Sequence, residues 1–534
     1  MTPIENSLDA RLTALAVRLD RRSRLFALGI LLYILLAAIG IASRKLLWAD
    51  DLVTLLTSRM RTFGEIWRFY KDGLDTTGPV QSLVGHIGMK LPLPTEIGLR
   101  LPFILAFLCM CLCIYGFVRR RYPASNALAA LIMPVLFSEL YYFMTAARAY
   151  ALVLCATGLA LVFWQNASEG KMRAWNALGL WLALAAAIAA HFFAVFLFVP
   201  FAAGQLAQDL NRKRPDWPVW LAILTFPLGF LPFVPAAINA SANFRATFHA
   251  KPGLRNLEIS YRGVYLSYGW IVVSVFLILA VWLLYRELRG GSHLDAAIPE
   301  TTGFTRPEWV LISALVLLPL YEALASMAIG VFEDKFAIPF YIGLILAISG
   351  GFAEVTKRRA AAGALAFVAM VCCAIAAQGH AAAAGIDALL RPSKVAARGA
   401  AEVISAPSTQ IATASQLPVI TDFFTYIGTD YYGSAELRQR LYVPIDSADY
   451  GKPEYRYTLS GQQCAKLFAR MLPIQTGEID SFVEQHRHFL LLTHFDGHEW
   501  LPIYLLDRQR TKGDLSITLL VADPSGNLLD VQTK

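Results

Sequence analysis

Apolar residues in this chain come in long runs rather than in alternating or one-faced stripes. The runs lie near 25–43, 101–118, 124–143, 149–165, 174–190, 191–208, 217–236, 264–285, 308–330, 336–353 and 360–380. Runs of roughly 18–22 apolar residues match the length an α-helix needs to cross the hydrocarbon core of a bilayer. A helix that is apolar on every side has no face to offer to water. The pattern therefore predicts a polytopic α-helical membrane protein with about 11 transmembrane helices. His191 marks the one plausible break in the run 174–208, which is read as two spans.

Two stretches depart from this pattern. The loop between the first two spans keeps apolar residues at helical spacing: Leu52, Val53, Leu55, Leu56, Met60, Phe63, Ile66, Trp67 and Tyr70, then again over 81–91. These are expected to be amphipathic helices in the interface plane, with Trp and Tyr at headgroup depth. The end of the chain alternates short β-rich runs with helical ones. Pro418–Ile420, Phe489–Thr493 and Ser516–Val521 read as strands, and Gln462–Met471 and Glu478–His486 as helices. Three zones result: a polar start at 1–24, a membrane body at 25–380, and a small α/β domain at 381–534.

Composition agrees, with 56% hydrophobic and only 16% charged residues, where soluble chains carry about 25% charged. The formal net charge of +8 does not point to nucleic acid, because the basic residues cluster in short loops. Arg18, Arg21, Arg22 and Arg24 precede the first span. Arg119–Arg121, Lys171 with Arg173, Arg212–Arg214, Arg286 with Arg289, and Lys357–Arg359 follow at every second loop. The positive-inside bias then places the N-terminus in the cytoplasm and the C-terminal domain outside. The first run is too long for a signal-peptide core and lacks a clear cleavage site, so it reads as a retained helix. Six of the seven cysteines fall inside spans, which leaves Cys464 alone outside and no disulfide framework there.

On this topology the outer side gathers the candidate chemistry. Asp50 and Asp51 are adjacent carboxylates at a membrane boundary, where charge is costly and usually functional. They suit an N-cap and first-turn acid for a helix from Leu52, or a general base. Ligation of a divalent cation is a lesser role for them. Arg148 stands on the outer side against the charge bias, as an interface anchor or as the partner of a phosphate. Lys335 is flanked by Glu333 and Asp334, which suits a local ion pair or an anion contact. Arg100 opens the second span. Glu139, Tyr142, His191 and His86 are placed to line the same cavity, although a solvated or hydrogen-bonded helix-end histidine is the more common case for the last two. His486, His488, His494, Asp496 and His498 match no closed zinc spacing, so no metal or other cofactor is required. No phosphate-binding glycine loop or dinucleotide fingerprint is present. A donor used on the outer face would have to be lipid-linked.

Several short motifs, in order, resemble bacterial GT-C superfamily glycosyltransferases, the group of the protein O-mannosyltransferases and the lipid A aminoarabinose transferase. Asp50-Asp51 resembles the acidic pair of that family's first outer loop, with Asp for Glu in second place. Asp75-Thr-Thr-Gly-Pro79 resembles the turn that follows it, and Glu96–Pro102 the Arg-Leu-Pro start of the next span. Met144–Leu152 resembles a Glu-Ala-Arg-x-Tyr-Ala-Leu stretch, with Ala146 in place of the Glu. Lys335-Phe-Ala-Ile-Pro339 resembles Arg-Tyr-x-x-Pro. The resemblance implies an inverting glycosyltransferase at the periplasmic face of the bacterial inner membrane. Its donor would be a polyprenyl-phosphate sugar. Its acceptor would be lipid A, lipopolysaccharide, another lipid or a protein, with membrane lipids as surroundings. Asp50, or Asp51, would be the base, while Arg148, Lys335 and Arg100 would hold the donor phosphate. A lipid-linked glycan flippase and a polysaccharide ligase are the alternatives. The first usually carries inverted repeats, which are not evident here.

Overall fold

The computed structural model describes residues 3–75, 77–245, 254–265, 269–288, 302–329, 333–447, 458–469, 472–493, 500–523 and 526–534. It opens with six helices: α1 (Pro3–Arg21), α2 (Ser23–Ala42), α3 (Ala49–Ser58), α4 (Phe63–Lys71), α5 (Val80–Gly88) and α6 (Thr95–Arg119). Among the described residues, seven helices are long and apolar enough to cross a membrane, or nine if each of two bent pairs is one span. Two shorter apolar helices, Gly269–Tyr285 and Phe340–Val355, occupy the eighth and tenth expected segments. The chain is a multi-pass membrane protein. The long first loop forms α3, α4 and α5. Thr62 and Glu65 close α4 with a reciprocal capping box, which satisfies two otherwise orphaned backbone donors.

The two bent pairs matter for the site. Ala124–Leu136 turns by 77° into Ser138–Met144, and Pro134 sits in the tight turn before the bend. Proline removes a backbone donor and breaks the helical ladder there. The bend delivers the segment Thr145–Arg148 to one end of the bundle. The run 174–208 does divide at His191. That residue is extended (φ −149°, ψ 125°) between the helix Arg173–Ala190 and the tight turn Phe192–Leu197.

Ion pairs show which loops share an end. Arg119 meets Asp20 at 2.8 Å, Arg121 meets Glu169 at 3.1 Å and Glu308 at 2.9 Å, and Arg173 meets Asp216 at 3.2 Å. The basic segments at the end of α1, at Arg119–Arg121, at Lys171–Arg173 and beside Asp216 thus meet on one side of the bundle. Asp50, Asp75, Arg148, His191 and Lys335 gather elsewhere, at the site described below.

The 31-residue helix Ala360–Leu390 is about 46 Å long at 1.5 Å per residue, longer than a bilayer core of about 30 Å. It leads toward a six-stranded sheet of order β3-β2-β1-β4-β6-β5. The strands are β1 (Val419–Ile420), β2 (Leu441–Ile445), β3 (Gln475–Glu478), β4 (His488–Thr493), β5 (Leu515–Asp523) and β6 (Gly526–Thr533). The strands from β1 to β4 pair in parallel, and β6 runs antiparallel to both β4 and β5. This domain rests on the first loop. The ring of Phe69 in α4 lies 5.7 Å from that of Phe468, and Leu47 N donates to the Tyr432 hydroxyl at 2.9 Å.

The Ala360–Leu390 helix packs against α2 through a reciprocal pair of glycines. A Cβ on Gly40 would stand 1.9 Å from Ala381 O, and one on Gly385 would stand 1.9 Å from Leu36 O. Small residues let two membrane helices touch backbone to backbone. Gly29, on the same α2, faces open space. Gly385→Leu is expected to lower the thermal unfolding midpoint in detergent, since overpacking costs about 1–3 kcal/mol or more. Gly29→Ala should leave the midpoint unchanged. Equal midpoints for both variants would refute this packing.

Candidate functional site

The acidic pair is divided by its surroundings. Asp51 has a 3% exposed side chain and binds the Arg100 guanidinium at 2.5 Å. Its other oxygen accepts from Ala147 N at 2.8 Å. Arg100 is fully buried, and its Nη1 also donates to Ala42 O (3.0 Å) and Lys45 O (2.7 Å), its Nη2 to Leu46 O (2.8 Å). One guanidinium therefore ties the end of α2, the start of α3 and the body of α6, and Asp51 adds the Thr145–Arg148 segment. Both Nη groups are occupied in scaffolding contacts, while Nε has no partner among the described residues. Asp50 is 46% exposed, and its carboxylate lies 3.6 Å from Arg148 Nε. Both acids fall in the first turn of α3, where the helix dipole favours negative charge.

Arg148 is held by a residue that the sequence reading noted only as part of a turn. Its Nη1 and Nη2 donate to the two oxygens of Asp75 at 2.8 and 3.2 Å. Asp75 also accepts from Thr77 N (3.0 Å) and Gln81 Nε2 (3.2 Å). Gln81 Oε1 accepts from Ala149 N at 3.1 Å, and its amide donates to the Tyr70 hydroxyl. Ser82 extends this buried chain from Tyr70 to Thr57 of α3. The bidentate face of Arg148 is thus used within the protein, and only Nε is left toward Asp50. The signal for Asp75 was present, since an acid before Thr-Thr-Gly-Pro stood in an apolar loop. Gly78 lets that loop touch the break at His191: Gly78 N donates to Ala190 O at 2.9 Å, and a Cβ there would stand 2.0 Å from Ala189 O.

His191 and Lys335 join this cluster. His191 is buried among the rings of Tyr150, Phe193 and Phe336, at 5.6, 6.0 and 4.8 Å between centroids. Thr77 and His191 form an isolated antiparallel bridge. Lys335 pairs with Glu333, as the local ion-pair reading expected, and also feels the charges of Asp50, Asp75 and Arg148. Tyr142 is half-exposed, with Lys45 Nζ 3.8 Å over its ring. Glu139 sits in the first turn of that same Ser138–Met144 helix. His86 is directed elsewhere: its Nδ1 donates to Ser58 O at 2.9 Å, at the far end of α3 from Asp50. Among the described residues no group of three or more His, Cys, Asp or Glu is arranged to hold a metal. His494, Asp496 and His498 lie outside the described residues.

Burial and charge compete across the site. For Asp75, burial pushes the carboxyl up, but the Arg148 guanidinium and the hydrogen bonds of Thr77 outweigh it and hold it below the usual carboxylate range. Burial lowers the Lys335 ammonium, against the pull of Asp50. Lys45 is lowered to about 8, chiefly by burial, with Asp51 opposing and Arg100 adding to the shift. A half-exposed carboxylate, a fixed guanidinium edge and two partly desolvated amines share one end of the bundle. Such a set can accept a proton and offset charge on a leaving anion.

Residues 76–237 match the model of the dolichyl-phosphate-mannose-protein mannosyltransferase family. That match bears out the resemblance to GT-C glycosyltransferases. The matched segment holds Thr77, Gln81, Arg100, Arg148 and His191, while Asp50, Asp51, Asp75 and Lys335 lie outside it. No curated protein is significantly similar in sequence. Among solved structures, apo ArnT from Cupriavidus metallidurans is similar at 13% identity and a TM-score of 0.43, over 95% of this chain and 97% of that one.

Two outcomes follow from this geometry. Arg100→Met strands Asp51 and three carbonyls, so stability should fall by about 3–5 kcal/mol, the usual cost of breaking a buried pair from one side. Thermal unfolding in detergent measures it, and an unchanged midpoint would exclude the clamp. Lys45, with its value near 8, is charged below that pH and neutral above it. Its acylation rate, followed by peptide mapping, should rise to half its plateau near pH 8. A midpoint near 10.5, the ordinary lysine value, would exclude the desolvated environment.

Proposed function

We propose that this protein is an inverting glycosyltransferase that takes its sugar from a polyprenyl-phosphate donor at the periplasmic face of the inner membrane, with Asp50 as the base. One observation carries the choice of Asp50. It is the acid of the pair that is open to solvent, while Asp51 has both oxygens bound inside the protein. Asp50 removes the proton of an acceptor hydroxyl as its oxygen attacks the anomeric carbon. The bond from that carbon to the phosphate oxygen breaks, and its electrons leave with the lipid phosphate. Lys335 and the Nε edge of Arg148 offset the charge that grows there. Asp75 holds Arg148 in place and is a positioning residue. The acceptor is a lipid, a glycolipid such as lipid A or lipopolysaccharide, or a protein.

The family match over residues 76–237 supports the reaction class. A direct displacement needs no metal, and the reading invokes none. Asp50→Asn keeps the shape and removes the base, so transfer should fall at least 10²–10³-fold, within the range general-base catalysis contributes. The unfolding midpoint should stay close to that of the unaltered protein, because Asp50 is half-exposed. The assay is mass spectrometry of envelope glycolipids and glycoproteins from cells carrying either form. A sugar modification that depends on the gene yet survives Asp50→Asn would remove Asp50 from the base role.

A further inference from the structure

Two buried N–H donors beside Asp75 have no partner among the described residues: His191 Nε2 and Arg148 Nε. Arg148 Nε has Asp50 only at ion-pair distance, 3.6 Å. His191 is the more telling. Its Nδ1 accepts a hydrogen bond from Phe193 N at 3.3 Å. A ring nitrogen that accepts carries no proton, so the neutral imidazole carries its proton on Nε2. The backbone of the tight turn Phe192–Leu197 thereby fixes the tautomer. His191 is only 2% exposed and enclosed by aromatic rings, and its burial, helped by the charges of Arg148 and Lys335, outweighs the opposing pull of Asp75. The same neighbourhood therefore holds it neutral. The result is an oriented, uncharged N–H donor with no acceptor among the described residues. Buried polar groups are ordinarily paired, so an orphaned donor aimed into a charged cluster calls for a partner such as water or a ligand.

We infer that His191 Nε2–H, together with Arg148 Nε–H, binds an oxygen of the lipid-linked phosphate and so positions the donor. This rests on the proposed use of a polyprenyl-phosphate donor. The phosphate is favoured over a sugar hydroxyl because the second donor of the pair is a cationic edge. Lys335 also stands in the same cluster. Charge alone would not place the phosphate, since the fork of Arg148 is taken by Asp75 and Lys335 is paired with Glu333. A fixed neutral donor supplies direction where the cations supply attraction.

The test uses the full chain in detergent, with polyprenyl monophosphate as the probe and the matching polyprenyl alcohol as control. The unaltered protein should bind the phosphate and not the alcohol. His191→Asn keeps an acceptor near the Nδ1 position for Phe193 N–H but loses the outer donor, and its Kd should rise about tenfold, equivalent to about 1.4 kcal/mol. His191→Gln restores an N–H near the Nε2 position and should recover most of that loss. Unfolding midpoints separate binding from folding. Unchanged affinity in His191→Asn overturns the inference, and leaves a sugar hydroxyl as the group His191 faces if that variant still loses transfer. Equal loss in both variants, with lowered midpoints, assigns His191 a purely structural place and also overturns it. No binding of the phosphate by the unaltered protein would instead overturn the donor reading itself, and this inference with it.

Discussion

The buried guanidinium of Arg100 is the contact on which the site's end of the bundle depends. It binds three carbonyls at and just past the end of α2 and the carboxylate of Asp51, from a helix that starts at Thr95. Removing a charge from water is costly, and a buried ion pair often contributes little net stability. Its effect is geometric. The last carbonyl of α2 and two in the link that follows are bound, and α3 is fixed with Asp50 toward solvent. Asp51 then reaches Ala147 N and places the residue before Arg148. The exposed acid and the guanidinium beside it are held in register by a pair that itself never meets solvent.

A second acid–guanidinium pair repeats this logic one layer closer to the chemistry. Asp75 takes both Nη groups of Arg148, Gln81 binds Asp75 and Ala149 N, and a hydroxyl chain through Tyr70, Ser82 and Thr57 returns to α3. Side chains locked by such contacts give a site its positional precision. The C-terminal sheet domain adds weight from outside, through Tyr432 beside Leu47 and Phe468 beside Phe69. The first loop is therefore clamped between the bundle and the sheet domain.

Much of this was legible in the residues because a bilayer imposes coarse rules. Apolar runs marked the helices, and the split at His191 followed from one polar residue in a long apolar run. Asp50 and Arg148 stood out as charges where charge is costly. The roles of Arg100 and Asp51 were not legible, because a cation at the start of a span looks the same whether it meets a phosphate or three carbonyls. Asp75 was hidden by its Gly-Pro context, which reads as turn chemistry. In the sheet domain, β2 was missed because Pro444 sits within Leu441–Ile445, where a proline argues against an inner strand. β6 was missed because Asn527, Asp530 and Gln532 dilute its apolar residues.

The charge balance of the site constrains its chemistry. Asp51 pairs with Arg100, Asp75 with Arg148 and Glu333 with Lys335, so three cations of the site already face an acid. Under the proposed reaction, a lipid phosphodiester donor would bring one negative charge, and its cleavage to a phosphate monoester would add a second. If Asp50 takes the acceptor's proton in the same step, one carboxylate charge disappears as one phosphate charge appears. The total charge at the site then stays constant through transfer, and only its position shifts, from Asp50 toward the phosphate. Preorganised cations and N–H donors act on such a shift without having to reorganise. The rigid mounting of Arg148 by Asp75, at the sacrifice of its bidentate face, serves that requirement better than a free guanidinium would.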